Sequence, residues 1–159
     1  MSTLLRPLRE DDHDAVLAWN ADHVELLAPL DTARLRQLLE WGAAGWIVES
    51  PAPVGFVVTF VAGSEYDSSN YRWFAERHRS FLYLDRIVID PSVRRSGIGT
   101  AVYDVLEERA AAHGPVLCLE VNLDPPNEPS LAFHRARGYR EVGQDLANGH
   151  LVSLMEKVL

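Results

Sequence analysis

The period of the apolar positions changes several times along the chain, and each change marks an element. Thr3 to Arg9 reads as a short strand, with Pro7 near a sheet edge. Asp11 and Asp12 offer capping carboxylates to a helix in which Val16, Trp19, His23 and Leu26-Leu27 recur at helical spacing, and Pro29 ends it. A second helix opens at Asp31-Thr32, turns Leu35, Leu38 and Leu39 inward, and stops at Gly42 and Gly45. Trp46 to Glu49 and Val54 to Val61 read as a hairpin turned by Ser50-Pro51-Ala52-Pro53. Gly63 to Arg79 is polar and aromatic, with a short helix expected around Tyr71 to His78. Such a loop shapes an acceptor site, packs over the sheet or makes a dimer contact.

Phe81 to Ile89 is the strongest strand pattern, closed by Asp90-Pro91. A helix begins near Ser96 or Gly97, buries Ile98, Ala101, Val102, Val105 and Leu106, and ends at Gly114-Pro115. Val116 to Val121 is the next strand, and Leu123 to Glu128 a proline-containing loop. Pro129 suits the first position of a helix running to Arg137, with Gly138 as its C-cap. Tyr139 to Leu146 and His150 to Val158 form a last hairpin around Asn148-Gly149. This order predicts one α/β domain over residues 1–159, a mixed sheet of about seven strands with about four helices on its two faces. The β-α-β unit from Phe81 to Val121 makes those two strands parallel.

Composition narrows the function classes. The 159 residues are 47% hydrophobic, enough for one core, and the formal net charge is −8. A broad nucleic-acid surface is excluded, since such binding rests on neutralised phosphates, but a local basic patch can still hold one small anion. The single cysteine, Cys118, allows no intrachain disulfide. With no bilayer-length apolar stretch and no long apolar leader, a cytoplasmic protein with no membrane partner is expected. His13, His23, His78, His113 and His150 are dispersed without metal-ligand spacing, so no metal is expected.

The turn between the strongest strand and its helix carries chemistry. Arg94-Arg95-Ser96-Gly97-Ile98-Gly99 combines two guanidinium groups with two glycines, which let a backbone approach an anion closely. The first helical N–H groups lack intrahelical partners, and the helix dipole adds positive charge. These features make an anion site. The phosphate loop of nucleotide hydrolases needs Lys-Ser/Thr after its last glycine, whereas Thr100-Ala101 follows Gly99. The dinucleotide fingerprint needs a third small residue where Val102 stands. Taken alone, the turn also fits a plain glycine-rich connection with two solvated arginines.

A second motif lies downstream. Asn127-Glu128-Pro129-Ser130-Leu131-Ala132-Phe133-His134 precedes Gly138-Tyr139. Together with Arg94-x-x-Gly97-x-Gly99, it resembles the GCN5-related N-acetyltransferase (GNAT) superfamily at motif level over about Phe81 to Val142, and in element order over the whole chain. The resemblance implies a mainly antiparallel sheet whose parallel fourth and fifth strands splay apart to hold the thioester of acetyl-CoA. It implies that backbone groups of Arg94, Arg95, Ser96, Gly97, Ile98, Gly99 and Thr100 hold the pyrophosphate of coenzyme A. The edge Ile87-Val88-Ile89 would pair with the pantetheine arm as an added strand does. A backbone N–H near Ile87 or Val88 would polarise the carbonyl. Asn127 and Ser130 would contact the cofactor from its far side.

The chain departs from the family pattern at the tyrosine that protonates the leaving thiolate, which is His134 here. Imidazole can serve as that acid. Alternatively, His134 only contacts the cofactor while water gives the proton. Two carboxylates stand where superfamily members place a base: Asp85, in mid-strand beside the similarly placed Tyr83, and Glu120 on the next strand. Their structural alternatives are an Asp85 ion pair with Arg86 or Arg94, and a solvent-facing Glu120. Cys118 shares the face of Glu120, as a cleft-lining residue, the carrier in an acyl-cysteine route, or a small core residue. The expected activity is acetyl transfer from acetyl-CoA to a primary amine of a small molecule or peptide. The alternatives are a non-catalytic acyl-CoA-binding module and a nucleotide-dependent enzyme. A homodimer is compatible with the resemblance.

Overall fold

The computed structural model describes residues 4–24, 26–93, 96–147 and 149–159. Thr3, Arg94, Arg95 and Asn148, to which the sequence reading assigns roles, lie outside the described residues. The chain forms seven strands and five α-helices among these residues. Strands β1 (Leu5–Pro7), β2 (Ala44–Glu49), β3 (Pro53–Val61), β4 (Leu82–Ile89), β5 (Val116–Asp124), β6 (Arg140–Ala147) and β7 (His150–Val158) hydrogen-bond in the order β1-β2-β3-β4-β5-β7-β6. The β1–β2, β2–β3, β5–β7 and β6–β7 pairs are antiparallel. The β4–β5 pair is parallel and two residue pairs long, Leu82 opposite Leu117 and Tyr83 opposite Cys118. The mixed α/β sheet with a parallel central pair is therefore as expected, and the fifth helix is the short one in the aromatic segment.

Two compact units divide the chain, one of Met1–Phe60 and Leu84–Arg109, the other of Val61–Tyr83 and Ala110–Leu159. The first holds α1 (His13–Ala21), α2 (Thr32–Glu40) and nearly all of α4 (Ile98–Ala110), with Val16, Leu35, Leu38, Ile47, Phe56, Val102 and Leu106 in its core. Asp31 caps α2 by accepting from the Arg34 N–H at 2.7 Å. Asp12 does not cap α1 with its side chain; Arg6 claims it through a fork of 2.8 and 2.9 Å. That guanidinium holds the Asp12 carboxyl down at about 2.

Helix α1 stops at Ala21 rather than continuing towards Pro29, for a polar reason. Asn20 is buried, and its Nδ2 donates to the Ala28 carbonyl at 3.1 Å. Arg86 Nη1 donates both to that carbonyl, at 2.6 Å, and to Asn20 Oδ1, at 2.8 Å. These bonds hold Ala28 to the helix end, and Val24 and Leu26 are exposed. Gly45 does not stop α2. It lies inside β2 opposite Val58, where an added Cβ would come within 3.0 Å of the Leu8 side chain.

The second unit holds α3 (Ser69–Ala75) and α5 (Glu128–Ala136). Its aromatic segment packs inward: Tyr66, Tyr71, Phe74, Phe81 and Tyr83 are all buried. The Tyr71 hydroxyl donates to the Val61 carbonyl at 2.6 Å and accepts from the Ser64 N–H at 3.1 Å, tying the segment to the end of β3. Of the readings open for this segment, packing is the one the structure supports.

In the first unit, Gly55 sets how closely β3 approaches β4. A Cβ there would lie 2.0 Å from the Val88 carbonyl oxygen, and backbone atoms cannot swing aside. Gly55→Ala is expected to cost about 1–3 kcal/mol, as overpacked sites do. The expected reading is a lower denaturant midpoint at unchanged slope; an unchanged midpoint contradicts the close approach.

Candidate functional site

In the first unit, β4 delivers its backbone to the turn before α4. Asp90 closes the strand: its N–H donates to Val54 O at 2.7 Å, and its carboxylate accepts from the Ser92 N–H at 2.9 Å. A 3-10 turn, Pro91–Val93, follows, and the Ser96 hydroxyl donates to the Val93 carbonyl. Gly97 has φ +82°, the left-handed region that favours glycine. Helix α4 then starts, with the Ala101 N–H bonding back to Gly97 O at 3.0 Å. The N–H groups of Ile98, Gly99 and Thr100 precede the first intrahelical bond and have no acceptor within the helix. Ser96, Gly97 and Thr100 are exposed, and a Cβ at Gly99 would meet only Ile89 Cδ1, at 3.8 Å. The chain thus presents a short run of outward N–H donors at a helix start, which suits a phosphate group.

Backbone direction alternates along a strand. Val88 aims its carbonyl at Gly55 and the Asp90 N–H reaches Val54, so these even-numbered positions serve β3. Ile87 and Ile89 therefore turn their N–H and C=O groups to the opposite edge of β4. Of Ile87, Val88 and Ile89, the first and third have the direction that pairing with an added amide chain requires. Asp85 has a nearly buried side chain, with Oδ2 3.4 Å from Arg86 Nε. This is the ion pair anticipated as the structural role of Asp85.

In the second unit, the parallel β4–β5 pair places Tyr83 beside Cys118, one turn of the pleat from Glu120. The Tyr83 hydroxyl donates to Glu120 Oε2 at 2.5 Å. Tyr83 is fully buried, wedged edge-on against Tyr71 at 5.5 Å and tilted against Phe74 at 6.0 Å. Glu120 is partly exposed. A buried, ring-packed phenol thus orients a carboxylate that solvent reaches. The family resemblance placed Tyr83 and Glu120 as separate candidates, and the register of a two-pair ladder unites them.

Asn127 and Ser130 stand at the start of α5, and His134 in its last turn. Asn127 Oδ1 accepts from the Ser130 N–H at 3.4 Å as the helix cap, and Pro129 occupies the first turn as expected. His134, one turn further on, is buried edge-on against Tyr139 at 5.4 Å. Its Nδ1–H donates to the Ser130 carbonyl at 2.7 Å. That bond selects the tautomer in which the neutral ring carries its proton on Nδ1 and an acceptor lone pair on Nε2. Burial pushes the imidazole below its ordinary value, the Ser130 bond opposes that, and Arg137 adds to it.

Comparisons with known proteins agree with the fold. The family model described as the acetyltransferase (GNAT) family matches residues 8–139. No curated protein matches the chain significantly by sequence. Among solved structures, the aminoglycoside acetyltransferase AAC(6')-Ib with coenzyme A and kanamycin is 18% identical, with TM-score 0.76 over 99% of this chain and 95% of that one. Arabidopsis thaliana NAA60 with acetyl-CoA is 16% identical, with TM-score 0.73 over 98% and 97%. A ribosomal-protein-alanine N-acetyltransferase from Brucella melitensis is 24% identical, with TM-score 0.65 over 99% and 100%.

His134 generates a pH prediction. Its folded-state value lies below the unfolded one, so the unfolded chain binds a proton first on acidification. Stability from this group is complete above about pH 6.5, the unperturbed histidine value, and falls as pH drops below it. The melting temperature should decline between about pH 7.5 and 5.5, and decline less in His134→Phe. Parallel declines in both proteins would contradict a buried neutral imidazole.

Proposed function

The chain belongs to the acetyltransferase (GNAT) family and is an acetyltransferase that uses acetyl-CoA; on that premise, we propose that it acetylates a primary amine of a small molecule or peptide by direct attack in a ternary complex. The observation that carries this reading is the Tyr83–Glu120 hydrogen bond. An amine reaches an enzyme largely as ammonium and must lose a proton before it can attack a thioester. Glu120 takes that proton, directly or through a water, from an orientation that Tyr83 sets. The ion pair of Asp85 with Arg86 favours a structural role for Asp85 and leaves Glu120 as the better base.

The other roles follow from backbone direction. The N–H donors from Gly97 to Thr100, with Arg94 and Arg95, bind the pyrophosphate of coenzyme A. Ile87 and Ile89 pair with the pantetheine amides, and the Ile87 N–H polarises the thioester carbonyl. Asn127 and Ser130 meet the cofactor from the α5 side. For His134, the Nδ1–H bond to Ser130 favours an accepting contact through Nε2 over proton donation, so water protonates the leaving thiolate. The excess of 23 acidic over 15 basic residues is compatible with a cationic acceptor. One structural neighbour is named for aminoglycosides and another for a ribosomal protein, which makes both acceptor classes worth testing.

Release of free thiol from acetyl-CoA, followed across polyamines, aminoglycosides and peptides with free N-termini, tests the proposal. Acceptor-dependent release is expected, and Glu120→Gln should lower kcat by about 10²–10⁴-fold with little change in the KM for acetyl-CoA. Release that no amine accelerates, or a variant with kcat near the parent's, would overturn it.

A further inference from the structure

Three side chains with no part in acetyl transfer meet inside the second unit. The register of β5 on β7 sets Cys118 opposite Glu156, and residues directly opposite share a face. A thiol and a carboxylate therefore stand side by side on the buried side of the sheet: Cys118 is 0% exposed and Glu156 8%. His78 comes from the turn after α3, where its N–H bonds to Phe74 O at 2.9 Å. Its ring stacks on Phe74 at 6.5 Å and tilts against Phe81 at 6.2 Å. From there its Nε2–H donates to Glu156 Oε1 at 2.8 Å. One donor atom from each residue lies within 4.8 Å of the other two. A buried glutamate on an apolar sheet face is costly unless its partners compensate it, and His78 donates to it here.

We propose that His78, Cys118 and Glu156 form a binding site for one transition-metal dication of the zinc class. Imidazole nitrogen, thiolate and carboxylate are each ordinary zinc ligands. The two anionic ligands neutralise a dication, so the complete site carries no net charge into its apolar surroundings. Tetrahedral zinc holds such donors about 3.3–3.6 Å apart, so the imidazole and carboxylate separate slightly while the sulfur closes by about 1 Å. The side chain of His78 is a quarter exposed, and a water reaches the fourth position from that side.

Protons balance simply. The S–H bond of Cys118 breaks as the sulfur–metal bond forms, and that proton leaves to solvent. The metal takes the place of the hydrogen on His78 Nε2, and the bound ring carries a single proton on Nδ1: the Nε2 proton moves there through solvent, or leaves to solvent where Nδ1 already holds one. Burial and the Glu156 charge both push the free thiol up, so the metal-free protein holds Cys118 protonated. Bound metal would fasten the turn after α3 to β5 and β7.

The test is a titration of chelator-stripped protein with Co²⁺, followed by displacement with Zn²⁺. One equivalent of Co²⁺ per chain should bind with a thiolate-to-cobalt charge-transfer band, Zn²⁺ should abolish the band, and Zn²⁺ should raise the melting temperature. Cys118→Ser should remove the band. His78→Asn, at a partly exposed position that should leave the fold intact, should weaken Co²⁺ by at least the about 10–100-fold seen for groups that merely orient ligands. Absence of saturable Co²⁺ binding, saturable binding without the band, or undiminished binding in His78→Asn would each overturn the proposal and leave a hydrogen-bonded trio.

Discussion

The hydrogen bond from the Tyr83 hydroxyl to Glu120 exists because β4 and β5 run parallel for two residue pairs. A longer ladder would lock both strands into one surface, and a shorter one would not hold the phenol beside the carboxylate. The aromatic segment supports the bond from behind: Tyr71 is pinned to Val61 and Ser64, and Tyr71 and Phe74 close around the Tyr83 ring. The segment, for which packing over the sheet was one of three readings, holds the residue that donates to Glu120.

Strand β4 also has to serve β3. Gly55 admits the Val88 carbonyl, which assigns the even-numbered backbone groups to β3 and turns Ile87 and Ile89 the other way. Arg86 joins the same strand to the end of α1 through Asn20 and Ala28. One strand thereby carries an edge turned away from β3, a buried cation bonded to Asn20 and Ala28, and the phenol beside Glu120.

What could be read from the sequence was local. The strand-turn-helix around Gly97 and Gly99, the cap at Asn127, Pro129 in the first turn of α5 and the closing hairpin all depend on residues a few positions apart. What could not be read depends on pairing across the chain. Asp12 offered a cap and found Arg6, and α1 ended early because Asn20 and Arg86 both bond to the Ala28 carbonyl. His78 looked like one of several scattered histidines until β5 and β7 set Cys118 and Glu156 beside it. For His134, only the fold brings the Ser130 carbonyl to Nδ1 and so shows which ring nitrogen carries the proton.

The central claim is that Tyr83 acts on the reaction through Glu120. The most direct measurement is a double-mutant cycle in kcat with Tyr83→Phe, Glu120→Gln and the two combined. If Tyr83 works by orienting Glu120, Tyr83→Phe lowers kcat in the parent and costs nothing further once Glu120 is gone. An equal fold-loss in both backgrounds would contradict the account.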